Sequence, residues 1–276
     1  MSSVADALAR ARALGIDRLD AQLLLGHQIG QSRSWLIAHG DDALAPADEL
    51  AYLQLLQRRA DGEPLAYLVG EREFHGLMLT VTPAVLVPRP DTECLVDWAL
   101  DLMAEQATPR VLDLGTGSGA IALALAHRQP AASLTATDCS AEALAVARAN
   151  AARHGLQVHF HHADWWDGVG GPAFDLVVSN PPYIAGEDPH LGALRHEPQL
   201  ALTPGGDGLG ALRRIVAGAP AHLRPGGWLL LEHGYDQGAA VRQLLHGAGF
   251  EALQTRTDLA GVDRCTGGRL PGENPR

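Results

Sequence analysis

The sequence predicts an α/β protein: a small helical unit followed by a doubly wound, mostly parallel sheet. Three observations carry this. Up to about residue 63 the leucines follow helical spacing and no strand-like alternation appears. From residue 111 onward, short apolar runs alternate with helical segments, as in repeated βα units. A glycine-rich turn, residues 115–119, lies where the first of those runs meets a helix.

In the first unit Leu8 and Leu14, then Leu19, Leu23, Leu24 and Leu25, fit a helix, with Asp17 or Asp20 near a start. Residues 46–59 repeat the pattern through Leu50, Leu53, Leu55 and Leu56 after Pro46, a residue suited to the first helical position. The texture then changes. Leu77, Leu79 and Val81 alternate, Pro83 breaks the run, and Val85, Leu86 and Val87 lead into Pro88 and Pro90, which reads as a β-hairpin linker. A helix is expected over 91–105. Strands are expected at 111–114, 134–138, 158–162, 176–179 and 228–232, with helices at 117–129, 141–154, 211–222 and 237–248. The Gly- and Pro-rich stretch 267–276 should fray. This divides the chain into a helical domain (1–63), a hairpin linker (64–90) and an α/β domain (91–276). In such a sheet, ligands bind beyond the carboxyl ends of the strands at the point where strand order reverses.

Bulk properties narrow the function. Hydrophobic residues make up 46% of 276, enough for a real core. With 21 basic and 32 acidic residues the net charge is −11, which offers no broad footprint for phosphate backbones. Cys94, Cys139 and Cys265 are far apart in sequence and form no CxxC pair, so they read as reduced thiols. Residues 1–15 lack the apolar core of a signal peptide, and no apolar run approaches a membrane span. The expectation is a soluble cytoplasmic protein.

Two motifs carry chemistry. Asp113-Leu114-Gly115-Thr116-Gly117-Ser118-Gly119 closes the first strand of the sheet. Its glycines let the backbone approach a ligand, and the helix that follows presents free N–H groups. Asp138, ending the next strand, can accept hydrogen bonds from both ribose hydroxyls of an adenosine. Asp164 and Trp165, after the third strand, could bind an adenine amino group and stack on its ring. A dinucleotide also fits Gly115-x-Gly117-x-x-Ala120, but the Asp-x-Gly-x-Gly-x-Gly spacing favours S-adenosyl-L-methionine. The second motif is Asn180-Pro181-Pro182-Tyr183 at the end of the fourth strand. The Asn180 side-chain carbonyl and the Pro181 main-chain carbonyl are two acceptors, stiffened by the proline pair; Tyr183 adds an aromatic face. Two acceptors can grip both hydrogens of a planar –NH₂ and aim its delocalised lone pair at a methyl donor. His159, His161 and His162 lack a cysteine or carboxylate at ligand spacing and read as structural, so no metal is expected.

Arg72-Glu73-Phe74-His75-Gly76-Leu77, Val87-Pro88-Arg89-Pro90-Asp91-Thr92-Glu93, Glu197-Pro198, Glu232-His233-Gly234 and Asp258-Leu259-Ala260-Gly261-Val262-Asp263-Arg264, with the two motifs above, resemble the bacterial peptide chain release factor glutamine methyltransferases over nearly the whole chain. The resemblance implies a Rossmann-like class I methyltransferase domain with a seven-stranded sheet. It implies S-adenosyl-L-methionine as cofactor, bound through Gly115 to Gly119, Asp138, Trp165 and Asn180. It implies as substrate the glutamine of the Gly-Gly-Gln motif in class I release factors, met by Asn180, Pro181, Pro182 and Tyr183. No role for Glu197 or Glu232 follows from the residues. The alternatives are an adenine-amino methyltransferase acting on DNA or RNA, since the same motif suits any planar –NH₂, and a catalytically silent module binding the donor or NAD. The charge balance argues against the first and the intact Asn-Pro-Pro-Tyr against the second. The N-terminal unit, without a chemical motif, is expected to recognise the protein substrate.

Overall fold

The computed structural model describes residues 2–171 and 173–272. The chain forms two compact units, Met1–Glu71 and Arg72–Arg276.

The first unit is helical: α1 (Val4–Ala13), α2 (Arg18–Ile29), α3 (Arg33–Ala38), α4 (Pro46–Ala60) and the short α5 (Leu65–Val69). Local chemistry sets the starts. Ser3 and Asp6 form a reciprocal capping box at α1, Asp17 caps α2, Ser32 caps α3, and Pro46 opens α4. Leu24, Leu25, Leu36, Tyr52 and Leu56 form a fully buried core, and the Tyr52 hydroxyl donates to the Ala21 carbonyl. Of the leucines that fit helical spacing, Leu14, Leu19 and Leu50 instead face solvent. Residues 65–69, which lie in the expected linker, form α5 because Leu68 is buried in this helical core.

In the second unit, β1 (Glu71–Phe74) and β2 (Leu77–Thr80) make the hairpin. His75 and Gly76 both adopt positive φ (48° and 83°), the turn geometry that matches strand twist. After α6 (Glu93–Met103) come β3 (Arg110–Leu114), α7 (Ala120–Arg128), β4 (Ser133–Asp138), α8 (Ala141–His154), β5 (His159–His162) and β6 (Phe174–Ser179). They are followed by α9 (Gln199–Leu202), α10 (Gly210–Gly218), β7 (Leu223–Glu232), α11 (Gly238–Gly247), β8 (Glu251–Thr257) and β9 (Asp263–Arg269). The seven strands order as β5-β4-β3-β6-β7-β9-β8; β9 alone runs opposite to the other six. Alternation along each strand supplies both faces. Val111, Leu176, Val178 and Leu230 pack with α6 and α7 through Leu95, Trp98 and Leu123. Leu112, Leu114, Val177, Leu229 and Leu231 pack with α10 and α11 through Leu212, Ile215, Val241 and Leu245.

One expectation is corrected at the C-terminal end, and one strand is added to those expected. Residues 267–269 do not fray: they complete the interior strand β9, where a side chain at Gly267 would meet Leu230, the Leu229 carbonyl and Trp98. Residues 273–276 of that stretch lie outside the described residues. Strand β8 was invisible as a strand because it is a polar sheet edge with no buried residue. The packing of β9 on α6 also brings the thiols of Cys94 and Cys265, 171 positions apart, to 3.0 Å. Among the described residues, no helix is long and apolar enough to cross a membrane.

Candidate active site

Strand register builds the site. Thr137 pairs with Leu114, Leu114 with Ser179, and Ser179 with Leu231. The next residue on each of these four adjacent strands is therefore Asp138, Gly115, Asn180 and Glu232, in one row along the carboxyl edge. Strand order reverses at β3, so Gly115 and Asn180 flank the switch point where α/β sheets bind ligands. Ser179 ties the two central strands together, its hydroxyl donating to the Leu114 carbonyl at 2.7 Å.

On the β3–β4 side, Gly115, Gly117 and Gly119 have φ of 73°, 56° and 85°. This left-handed region suits glycine and leaves the loop surface bare. The whole segment precedes the helix: α7 begins at Ala120, with Gly119 as its cap, three residues later than the sequence spacing indicates. The N–H groups of Gly115 and Thr116 both donate to Thr137 O. Asp138 accepts from the Gly117 N–H and the Ser140 N–H, each at 2.9 Å. Burial raises its pKa, and those backbone donors oppose the rise. Each carboxylate oxygen keeps a further lone pair, so the residue that steadies the loop can still receive ribose hydroxyls. Trp165 also adopts a positive φ (55°), and its six-membered ring lies 3.6 Å from where a Gly115 side chain would begin. Trp166 is committed elsewhere: it stacks on His222 at 4.5 Å and donates to the Arg214 carbonyl. Asp164 is exposed and pairs with Arg214 at 2.9 Å. Asp113 is fully buried; its Oδ2 accepts from the Thr116 hydroxyl at 2.6 Å, and Oδ1 has no hydrogen-bond partner among the described residues. Burial lifts its pKa to about 7. Left-handed glycines, an acceptor with spare lone pairs and an indole beside the loop fit a bound adenosine-containing cofactor.

On the β6–β7 side, Asn180 Nδ2 donates to Thr92 Oγ1 at 3.2 Å, which leaves Oδ1 as its other amide atom. Pro181 is buried and Pro182 half-buried. The Tyr183 hydroxyl donates to Glu232 Oε1 at 3.3 Å, and its main-chain carbonyl is held by Gln237 Nε2 at 2.9 Å. Burial pushes the Tyr183 pKa up, with the Glu232 charge adding to it. Glu232 is buried. Its own pKa rises to about 7 through burial, against the stabilising effect of the Thr92 hydroxyl, Arg264 and the Tyr183 hydroxyl. Arg264 is gripped by Asp258 at 3.0 and 3.2 Å and approaches Asp91 at 3.4 Å. Glu197 braces the preceding segment: one oxygen accepts from the Val87 N–H (3.1 Å), the other from Arg89 (2.5 Å).

The candidate residues Gly115, Thr116, Gly117, Ser118, Gly119 and Asp138 thus share one side of the switch point, and Asn180, Pro181, Pro182 and Tyr183 the other. Thr92 and Arg264 had no signal in the sequence beyond lying in quoted motifs. The three expected structural histidines sit on or just inside edge strand β5, where His162 meets the Cys139 carbonyl.

A sheet of this order, with a glycine loop and an Asn-Pro-Pro-Tyr turn on neighbouring strands of its switch point, defines an S-adenosylmethionine-dependent methyltransferase. Residues 96–207 match the Methyltransferase small domain family and residues 2–70 the PrmC N-terminal domain. The release factor glutamine methyltransferase of Xylella fastidiosa (strain Temecula1) is 54% identical over 269 residues, covering 96% of this chain and 98% of that protein. That of Burkholderia pseudomallei is 53% identical, covering 98% of each. A solved methyltransferase from Pyrococcus furiosus shares the fold at 21% identity and a TM-score of 0.53, covering 71% of this chain and 90% of that one. This chain belongs to the release factor glutamine methyltransferase family.

Proposed function

We propose that this chain transfers a methyl group from S-adenosyl-L-methionine to the side-chain amide nitrogen of the glutamine in the Gly-Gly-Gln motif of class I release factors. The observation that carries the reading is the placement of Asn180 directly beside Gly115 at the switch point, through the pairing of Ser179 with Leu114. The donor, when bound, supplies an electrophilic methyl whose bond to sulfur breaks as the new nitrogen–carbon bond forms. Backbone groups of Gly115 to Gly119 approach it, Asp138 receives the ribose hydroxyls, Trp165 stacks on the adenine and Asp164 meets its amino group. Asn180 Oδ1 and the Pro181 carbonyl accept the two amide N–H groups, and Tyr183 lines the side chain. An amide is a poor nucleophile, so the residues act by position: they turn the nitrogen lone pair toward the methyl and favour pyramidal nitrogen. No strong base is needed, because the nitrogen's extra proton becomes acidic once the methyl is on.

A Gly-Gly-Gln loop offers little surface, and a stable protein complex buries on the order of 1,000 Å² or more. The helical unit is suited to supply the remainder, and Leu14, Leu19, Ile37 and Leu50 are exposed on it. Removing residues 1–71 should raise the KM for the intact factor while donor affinity persists in the folded remainder. The factor is met in the cytoplasm, without direct nucleic-acid binding. Incubation with labelled donor and either intact release factor or DNA and RNA tests the reading. Label in the protein is expected; label in nucleic acid alone would favour the adenine-amino alternative.

A further inference from the structure

Asparagine is a poor helix former and costly to bury, yet Asn150 stands on the inner face of α8 with no exposure at all. Its neighbours on that face are small or apolar: Ala143, Leu144, Ala147 and Ala151. Ala147 Cβ lies 3.3 Å from where a side chain at Gly119 would begin, so this face packs directly on the glycine loop. We infer that Asn150 is a positioning residue for the methyl donor: it holds the Ser118 carbonyl of that loop and ties it to the linker hairpin. The inference rests on the reading of residues 115–119 as the donor loop and adds a residue to which that reading assigned no part.

Both hydrogens of the Asn150 amide are used. Nδ2 donates to the Ser118 carbonyl and to the Thr80 carbonyl, each at 2.9 Å, and Oδ1 accepts from the Thr80 N–H at 2.7 Å. The partners are backbone groups of fixed polarity, so the amide cannot turn over without setting donor against donor and acceptor against acceptor. Without exposure, the site admits no water to compete for these bonds. Strand β2 is fastened to the same helix at two further points. Arg153 donates to the Thr80 hydroxyl at 3.3 Å, and His154 Nε2 donates to the Met78 carbonyl at 2.8 Å. Asn150 thus joins three elements: α8, the hairpin and the glycine loop.

Ser118 lies between Gly117 and Gly119, both left-handed. Glycine explores φ of either sign, so the loop has little of its own to keep one conformation. It is held by its partners instead. Asp138 takes the Gly117 N–H at 2.9 Å, the Thr116 carbonyl takes the Gly119 N–H at 2.8 Å, and Asn150 takes the Ser118 carbonyl between them. Three consecutive residues are each fixed at one polar group before a donor arrives. A loop fixed in advance loses less entropy on binding, which raises affinity. The nucleophile is oriented from another strand, by Asn180 and Pro181 in the reading above. Loss of the Asn150 bonds should therefore act on donor affinity and not on kcat.

Two measurements on the full-length protein test this. In hydrogen exchange, the Thr80 N–H reports the Asn150 bond, because that side chain is its partner. Saturating S-adenosyl-L-methionine should slow exchange at Gly117 and, through Asn150, at Thr80. The factor at Thr80 should exceed that at His75, whose N–H on the same hairpin is held by Glu93 instead. Slowing at Gly117 with no excess at Thr80 over His75 would overturn the inference. Slowing at neither Gly117 nor Thr80 would refute the donor-loop reading itself, and the inference with it. In calorimetry, Asn150→Asp keeps the size and the Oδ1 acceptor but sets an oxygen against two carbonyls. Donor affinity should weaken about tenfold, the scale of one lost hydrogen bond, while kcat on the release factor at saturating donor holds. A folded variant with a lower melting temperature and unchanged donor affinity would show a purely structural asparagine and overturn the inference. If Asn150→Asp does not fold, the exchange measurement on the unaltered protein decides alone.

Discussion

On the β3–β4 side of the carboxyl edge the polar groups are mainly main-chain ones: three left-handed glycines, the Gly115 and Thr116 amides on Thr137 O, and one carboxylate, Asp138, receiving two backbone N–H groups. On the β6–β7 side they are mainly side chains drawn from four distant stretches: Thr92, Asn180 with Tyr183, Glu232, and Arg264 with Asp258. The first half is shaped by local sequence, through left-handed backbone that glycine adopts without strain. The second is shaped by tertiary contacts and depends on each partner being present. The first half is the one proposed to bind the donor, and the second the one proposed to orient the reacting nitrogen.

Substitutions should separate the halves. Asn180→Ala removes one of two preorganised acceptors, so kcat should fall roughly 10²–10³-fold with a smaller change in donor affinity, read by steady-state kinetics and calorimetry. Near-normal turnover would merge the two halves into a single binding surface. Asp138→Ala should do the reverse. Hydrogen bonds to a charged group are each worth roughly 1.5–3 kcal/mol, so donor affinity should weaken at least about tenfold. Unchanged affinity in calorimetry would remove Asp138 from the donor side.

A weaker effect distinguishes the buried carboxyl of the donor half. Asp113 titrates at about 7 in the folded chain against an ordinary value of 3.8. Between those values the folded state holds a proton that the unfolded chain has lost, so this group's contribution to stability declines as pH rises through the window and is level above it. Asp113→Asn should flatten that part of the melting temperature against pH. An identical profile in the variant would show that the carboxyl is not buried as described. The smallest effect lies outside both halves. Ser3→Ala, which removes the α1 cap, should cost about 1 kcal/mol of the helical unit's stability, seen by denaturant unfolding.

The same contrast explains what could be read in the sequence. The glycine loop, Asp138 and Asn-Pro-Pro-Tyr were legible because each is a local pattern at the end of an apolar run. The order in which those ends meet was not, since register comes from pairing across the sheet. Thr92, Glu232 and Arg264 stand 88, 52 and 84 positions from Asn180, and nothing local marks a hydroxyl or a carboxylate as its neighbour. Trp165 and Trp166 were equivalent in sequence. The fold separates them by turning Trp165 through a left-handed backbone toward Gly115 and stacking Trp166 on His222. The antiparallel pair β8–β9 escaped for a related reason. An edge strand has no apolar face to show, and β9 earns its interior place with glycines against Trp98 and Leu230.

The central claim is that this edge brings a glutamine amide nitrogen to the donor's methyl. Mass spectrometry of an intact release factor, digested after incubation with enzyme and S-adenosyl-L-methionine, tests it most directly. One added methyl is expected on the side chain of the Gly-Gly-Gln glutamine, absent when Asn180→Ala enzyme is used for the same time. An unmodified glutamine, or a methyl on any other residue, would contradict it.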